Sequence, residues 1–128
     1  MPHVIVEYSA NIEGSADIGA LLGALHQTMI DSTLAETVAL RTRAERRDSY
    51  RIADGNLNNA FVHIVIRMRK GRPQDALKQL GESLLAAAEK TLERAFAAHP
   101  VALTVEIHEI EHLTFRRNTI RDTSEKAA

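Results

Sequence analysis

Apolar and polar positions change period several times along this chain, and each change predicts an element. Val4, Ile5 and Val6 form a β-branched run within residues 3–8, a buried strand that begins almost at the terminus. Ser9, Asn11, Gly14 and Ser15 then predict a loop. Ile18, Leu21, Leu22, Leu25, Met29 and Ile30 recur at spacings of three and four, which defines one face of a helix. Ser15 is its expected N-cap, and Asp17 falls in a first turn where the helix dipole favours negative charge. Gly19 and Gly23 either weaken this helix or admit a close neighbour.

The helical pattern fades after Asp31, and residues 38–52 predict a long second strand with an irregular middle. Arg41 and Arg43 are two apart there, so a strand points both to one face. Ala53-Asp54-Gly55-Asn56 is a hairpin-type turn signal. Residues 60–68 alternate strictly, with Val62, Ile64, Ile66 and Met68 on one face and Phe61, His63, Val65 and Arg67 on the other. Pro73 suits a first helical position, opening a helix to Ala98 whose stripe is Leu77, Leu80, Leu84, Ala88, Leu92 and Phe96. His99-Pro100 stops it, and Val101, Leu103, Val105 and Ile107 give a fourth strand. Residues 121–128 are polar and expected to be disordered.

The order strand–helix–strand occurs twice. Each crossover makes the two strands of its unit parallel. The expected fold is α+β: two β-α-β units over residues 1–120, forming a four-stranded sheet with two helices on one face. The other sheet face is then bare. Apolar side chains on both faces of the third strand predict that it is an association surface.

Composition narrows the classes. A chain of 128 residues can bury a core. Its formal net charge of -1 gives no case for nucleic acid or an acidic membrane as partner. There are no cysteines, which excludes disulfides and thiolate chemistry and fits a reducing cytoplasm. No signal peptide and no membrane-length apolar run is seen.

Two features offer chemistry. Pro2 is a small residue after the initiator Met1, and its exposure by methionine removal would create a secondary N-terminal amine held by the strand that follows. An α-amino group titrates near ~7.7–8.0, and burial or nearby cations lower it towards the range of a general base. The alternative is a tolerated proline at a strand start. His108-Glu109-Ile110-Glu111-His112 matches the zinc-protease signature H-E-x-x-H. That motif requires a helix, whereas here it continues a period-2 strand, which spaces its histidines about 13 Å apart. His3, His63 and Phe61 read equally well as packing or surface residues.

The pieces together resemble the 5-carboxymethyl-2-hydroxymuconate isomerases of the tautomerase superfamily. The resemblance rests on Met1-Pro2-His3-Val4-Ile5-Val6-Glu7 with Ser9 and Asn11-Ile12. It continues through Leu40-Arg41-Thr42-Arg43, Ala53-Asp54-Gly55, Ala60-Phe61-Val62-His63 and Gly71-Arg72. It implies two β-α-β units in a homotrimer, sites near subunit boundaries, no cofactor and no metal. It also implies Pro2 as the acid/base, with Arg41 and Arg72 holding substrate carboxylates and Arg43 as helper or alternative. Guanidinium forks suit a substrate with several carboxylates. Other expectations on this scaffold are a related tautomerase, a dehalogenase or a decarboxylase. Outside enzymes, the alternative is an oligomeric binding protein with an incidental Pro2.

Overall fold

The computed structural model describes residues 1–111 and 113–123. Four strands form one sheet: β1 (His3–Ser9), β2 (Arg41–Arg47), β3 (Ala60–Arg69) and β4 (Val101–Ile110). Three α-helices accompany them: α1 (Ile18–Ser32), α2 (Gln74–Thr91) and α3 (Glu93–Ala98). The sheet order is β2-β1-β3-β4. β1 runs parallel to β2, β3 runs parallel to β4, and the central β1/β3 pair is antiparallel. Two β-α-β units therefore meet back to back, as the repeated pattern predicts.

The helices pack on one face of this sheet. Val4, Val6 and Tyr8 of β1 and Val62, Ile64, Ile66 and Met68 of β3 are buried. They form one cluster with Leu21, Leu25 and Met29 of α1 and Leu77, Leu80, Leu84 and Ala88 of α2. Strand alternation sends the odd-numbered side chains of β1 and β3 to the opposite face.

That opposite face corrects the expectation of a bare apolar surface. Register aligns Glu45, Glu7, His63 and Thr104 in one row across the four strands, and Arg43, Ile5, Val65 and Glu106 in the next. Apolar residues are present but interleaved with charge. Arg47 Nε donates to Glu7 at 2.6 Å, His63 bonds Glu106, and His108 Nε2 lies 2.7 Å from the other Glu106 oxygen. The face is a bonded polar network with apolar insertions. Period-2 reading of β3 alone missed the charges its neighbours bring to the same rows.

Several boundaries also move. Asp17, not Ser15, caps α1, its side chain accepting from Ala20 N at 2.9 Å. The Ser15 hydroxyl donates back to Ile12 O. No neighbour approaches Gly23 closely. β2 is shorter than residues 38–52: Val38 lies in a 3-10 turn and the strand stops at Arg47, where no further apolar residue faces the core. The Ala53–Gly55 turn does form, with positive φ at both ends, but it joins β2 to β3, which are not neighbours in the sheet. It is therefore not a hairpin. Pro73 is the N-cap of α2 rather than its first residue. The long second helix breaks at Leu92 (φ -96, ψ 15), and the buried stripe continues at Ala95 while Phe96 turns outwards.

His108 lies in β4, so the H-E-x-x-H letters begin on a strand, as the alternation predicts; His112 lies outside the described residues. Of the tail expected to be disordered, residues 121–123 carry no regular secondary structure and residues 124–128 lie outside the described part. No helix among the described residues is long and apolar enough to cross a membrane.

Candidate active site

The sheet end where β1 begins gathers the arginines. Pro2 is buried there, and its carbonyl accepts from Arg41 N at 3.2 Å, which extends the β1/β2 ladder outwards by one residue. That bond fixes the start of the chain to Arg41. The Arg41 side chain turns back and donates from Nη1 to Ala39 O at 2.9 Å.

On the other side of β1 the register places His3 opposite Arg67 and Val4 opposite Ile66. Continued past the end of the ladder by two positions, the same register sets Met1 against Arg69. The amine of Met1, the residue before Pro2, responds to this setting. Burial holds it below the ordinary α-amino value of 8.0, and the guanidinium charges of Arg41, Arg116 and Arg69 lower it further. Both causes disfavour the protonated form.

Arg72 is tied in through Arg69. Gly71 adopts φ +123, a left-handed conformation that favours glycine, and the turn brings the Arg72 guanidinium back over the end of β3. Its Nη1 donates to Arg69 O at 2.8 Å and its Nε to Leu34 O at 2.9 Å. Arg72 thus clamps the loop after α1 to the strand end. A guanidinium has five N–H donors, so these two bonds leave others for a ligand.

Arg43 is joined to the start of β1 through His3, the residue after Pro2. Its Nη1 lies 2.9 Å from His3 Nδ1 on the open face. Arginine can only donate, so Nδ1 is the acceptor and the neutral ring carries its proton on Nε2. Burial, then the charge of Arg43, holds His3 below the ordinary histidine value, in keeping with a neutral ring. Phe61 is near the far end of β3, about 23 Å along the strand from Met68 at roughly 3.3 Å per residue. There it meets the Tyr50 ring edge-on at 6.3 Å. Within one chain it does not belong to the amine's surroundings.

Sequence reading missed Arg69 and Arg116. The β1/β3 register would have located Arg69. Arg116 lies in a segment without periodicity, and no sequence signal points to it.

A family model for 5-carboxymethyl-2-hydroxymuconate isomerase matches residues 2–124. This chain belongs to that family. Membership places it among isomerases and sets aside the reading as a binding protein. It is 30% identical over 121 residues to 5-carboxymethyl-2-hydroxymuconate Delta-isomerase of Escherichia coli, covering 94% of this chain and 96% of the relative. Its fold matches the crystal structure of a 5-carboxymethyl-2-hydroxymuconate isomerase from Deinococcus radiodurans R1 with a TM-score of 0.86 at 28% identity, covering 92% and 90% of the two chains. A fused 4-OT wild type symmetric trimer shares the fold at a TM-score of 0.63 and 18% identity, over 84% of this chain and 85% of that one. The fold is tautomerase-like.

Proposed function

We propose that this protein ketonises 5-carboxymethyl-2-hydroxymuconate, the compound for which its family is named, in the breakdown of aromatic acids such as homoprotocatechuate. Removal of Met1 leaves Pro2 as the N-terminal secondary amine, and that amine carries the proton. Neutral, it accepts the proton of the enol hydroxyl. The electron pair moves along the conjugated system as the carbonyl forms, and a carbon several atoms away takes the proton from the amine. One group serves both ends, so atoms and charge balance without a second reactant.

The observation that carries this reading is the placement of Pro2, buried at the start of β1 with its carbonyl bonded to Arg41 N, in a setting where burial and three arginines hold the amine of the preceding Met1 below its ordinary value. A base that titrates near the working pH performs best. Arg41, fixed to Pro2 by its own backbone, is the first carboxylate ligand. Arg72 is the second, and Arg43 holds a smaller share from the open face. A guanidinium on the carboxylate beside the forming carbonyl stabilises charge that grows in the transition state. The substrate's several negative charges account for a cationic site in a chain of net charge -1.

The working form is a homotrimer in the cytoplasm. A trimeric neighbour of like fold supports that assembly. The polar network on the open sheet face is then an interface with bonded charges rather than a greasy one.

The test is ketonisation followed by ultraviolet absorbance, for untagged protein and for Pro2→Ala, with intact mass to show whether Met1 is removed. The expected loss in kcat is about 10²–10⁴-fold, the usual worth of a positioned acid/base. Activity in protein that retains Met1, or a Pro2→Ala rate within about threefold of the parent, overturns the assignment.

A further inference from the structure

The C-terminal segment beyond β4 crosses the end of the sheet where the amine lies. Lys70 N bonds Ile110 O at 3.3 Å and closes the β3/β4 ladder. Past that point Thr114 Oγ1 accepts from Arg69 Nη2 at 3.4 Å. Four residues later Asn118 Nδ2 donates to Val38 O at 2.8 Å, just ahead of β2. The Asn118 side chain also accepts from Ile120 N, which shapes the turn that holds the anchor. In the order β2-β1-β3-β4, a chain leaving β4 and reaching the start of β2 must pass the ends of β3 and β1. Arg116 is midway between the two anchors and therefore lies over the start of β1.

Both anchors are made with neutral groups: a threonine hydroxyl and a backbone carbonyl. They hold the segment without cancelling the charge of Arg69. An exposed arginine on an anchored segment, next to a second arginine and beside the start of β1, is an anion site on two guanidinium cations. Arg41 and Arg72 already answer two carboxylates, and the proposed substrate carries three.

We infer that Arg116 and Arg69 form a separate carboxylate subsite beside the N-terminal amine, and that this subsite selects a tricarboxylate enol over a dicarboxylate one. The inference deepens the isomerase reading and rests on it for the substrate class. Arg116 is a specificity-determining residue here, with the Asn118 anchor positioning it.

Calorimetric titration with tricarballylate, a saturated tricarboxylate, and with glutarate, a dicarboxylate, tests this without turnover. Arg116→Gln should weaken tricarballylate by about tenfold or more and glutarate by less than about threefold, the loss expected of one charge-assisted pair. Arg69→Gln should do the same, and Arg116→Lys should restore most of the binding. In the ketonisation assay KM should rise more than kcat falls. Equal weakening of both acids, unchanged binding in Arg116→Gln, or no binding of tricarballylate to the parent protein overturns the subsite. A parent protein that binds tricarballylate selectively but turns over no carboxylated enol would defeat the isomerase reading instead, so the two failures are distinct.

Discussion

Two regions of this sheet hold arginines in opposite ways. Towards the end of β2, Arg47 reaches Glu7 and Glu45 on the open face and Arg46 reaches Glu13 and Asp48 on the other side, each through a carboxylate. Those positive charges are cancelled locally, and exposed pairs of this kind contribute little to stability. At the end where β1 begins, Arg41 donates to Ala39 O, Arg72 to Leu34 O and Arg69 O, and Arg69 to Thr114 Oγ1. Carbonyl and hydroxyl oxygens orient a guanidinium but leave its charge in place. The partner's charge, rather than the number of bonds, separates an arginine that staples the surface from one prepared for an anion.

If that distinction holds, the largest effects belong to the carbonyl-held arginines. Arg41→Gln should cut kcat/KM by about 10²–10³-fold, roughly 3–4 kcal/mol of transition-state stabilisation. It should also move the rising limb of the pH–rate profile upwards. The Pro2 amine works as a base when neutral, activity therefore grows with pH through its titration, and removing a nearby cation moves that titration upwards. An unshifted limb with unchanged kcat/KM would place Arg41 with the stapling arginines.

Arg72 should show a mixed loss, because its clamp is structural as well as charged. Arg72→Ala frees two carbonyls and should cost about 1–3 kcal/mol in chemical denaturation, with a fall in activity beyond that of Arg43→Gln. Gly71→Ala tests the clamp without touching the charge. With φ +123 at that position, an alanine there is strained, and a loss of about 1 kcal/mol or more is expected. Retained stability in Gly71→Ala would mean that the turn does not hold Arg72 in place.

How much of this was legible in the sequence follows from the same contrast. The β-branched run at residues 4–6, the alternation in β3 and the helical stripes give both β-α-β units, because burial is written residue by residue as period. The positions of Pro2, Arg41 and Arg72 come from family resemblance joined to amine chemistry. Register is not written that way. The pairing of Arg69 with the chain start depends on how far β3 slides along β1. The crossing of Arg116 over β1 depends on two side-chain anchors in a segment with no period. The open face misled for a related reason: each strand alone looks partly apolar, and the polar rows exist only once four strands are aligned. Leu92 shows the same limit within a helix, since a break there shifts the stripe from Phe96 to Ala95.

The smallest effect is expected on the cancelled face, and it should appear only in acid. Hydrogen bonds from His108 and then from His63 hold the Glu106 carboxyl below its ordinary value of 4.5. Arg47 and Glu7 continue the network across neighbouring rows, with Glu7 Oε1 3.8 Å from His63 Nδ1. A carboxyl lowered in the folded state binds fewer protons there than in the unfolded chain. Its contribution is therefore complete above the ordinary value and is lost as pH falls through the lowered one. Glu106→Gln removes the titrating group. Its urea midpoint should fall less steeply with acidification than that of the parent, while ketonisation at neutral pH stays unchanged. An acid slope identical to the parent's would mean that the carboxylate does not couple to its histidines. A loss of turnover would mean that the network reaches the active site and that the two kinds of arginine are not separate systems.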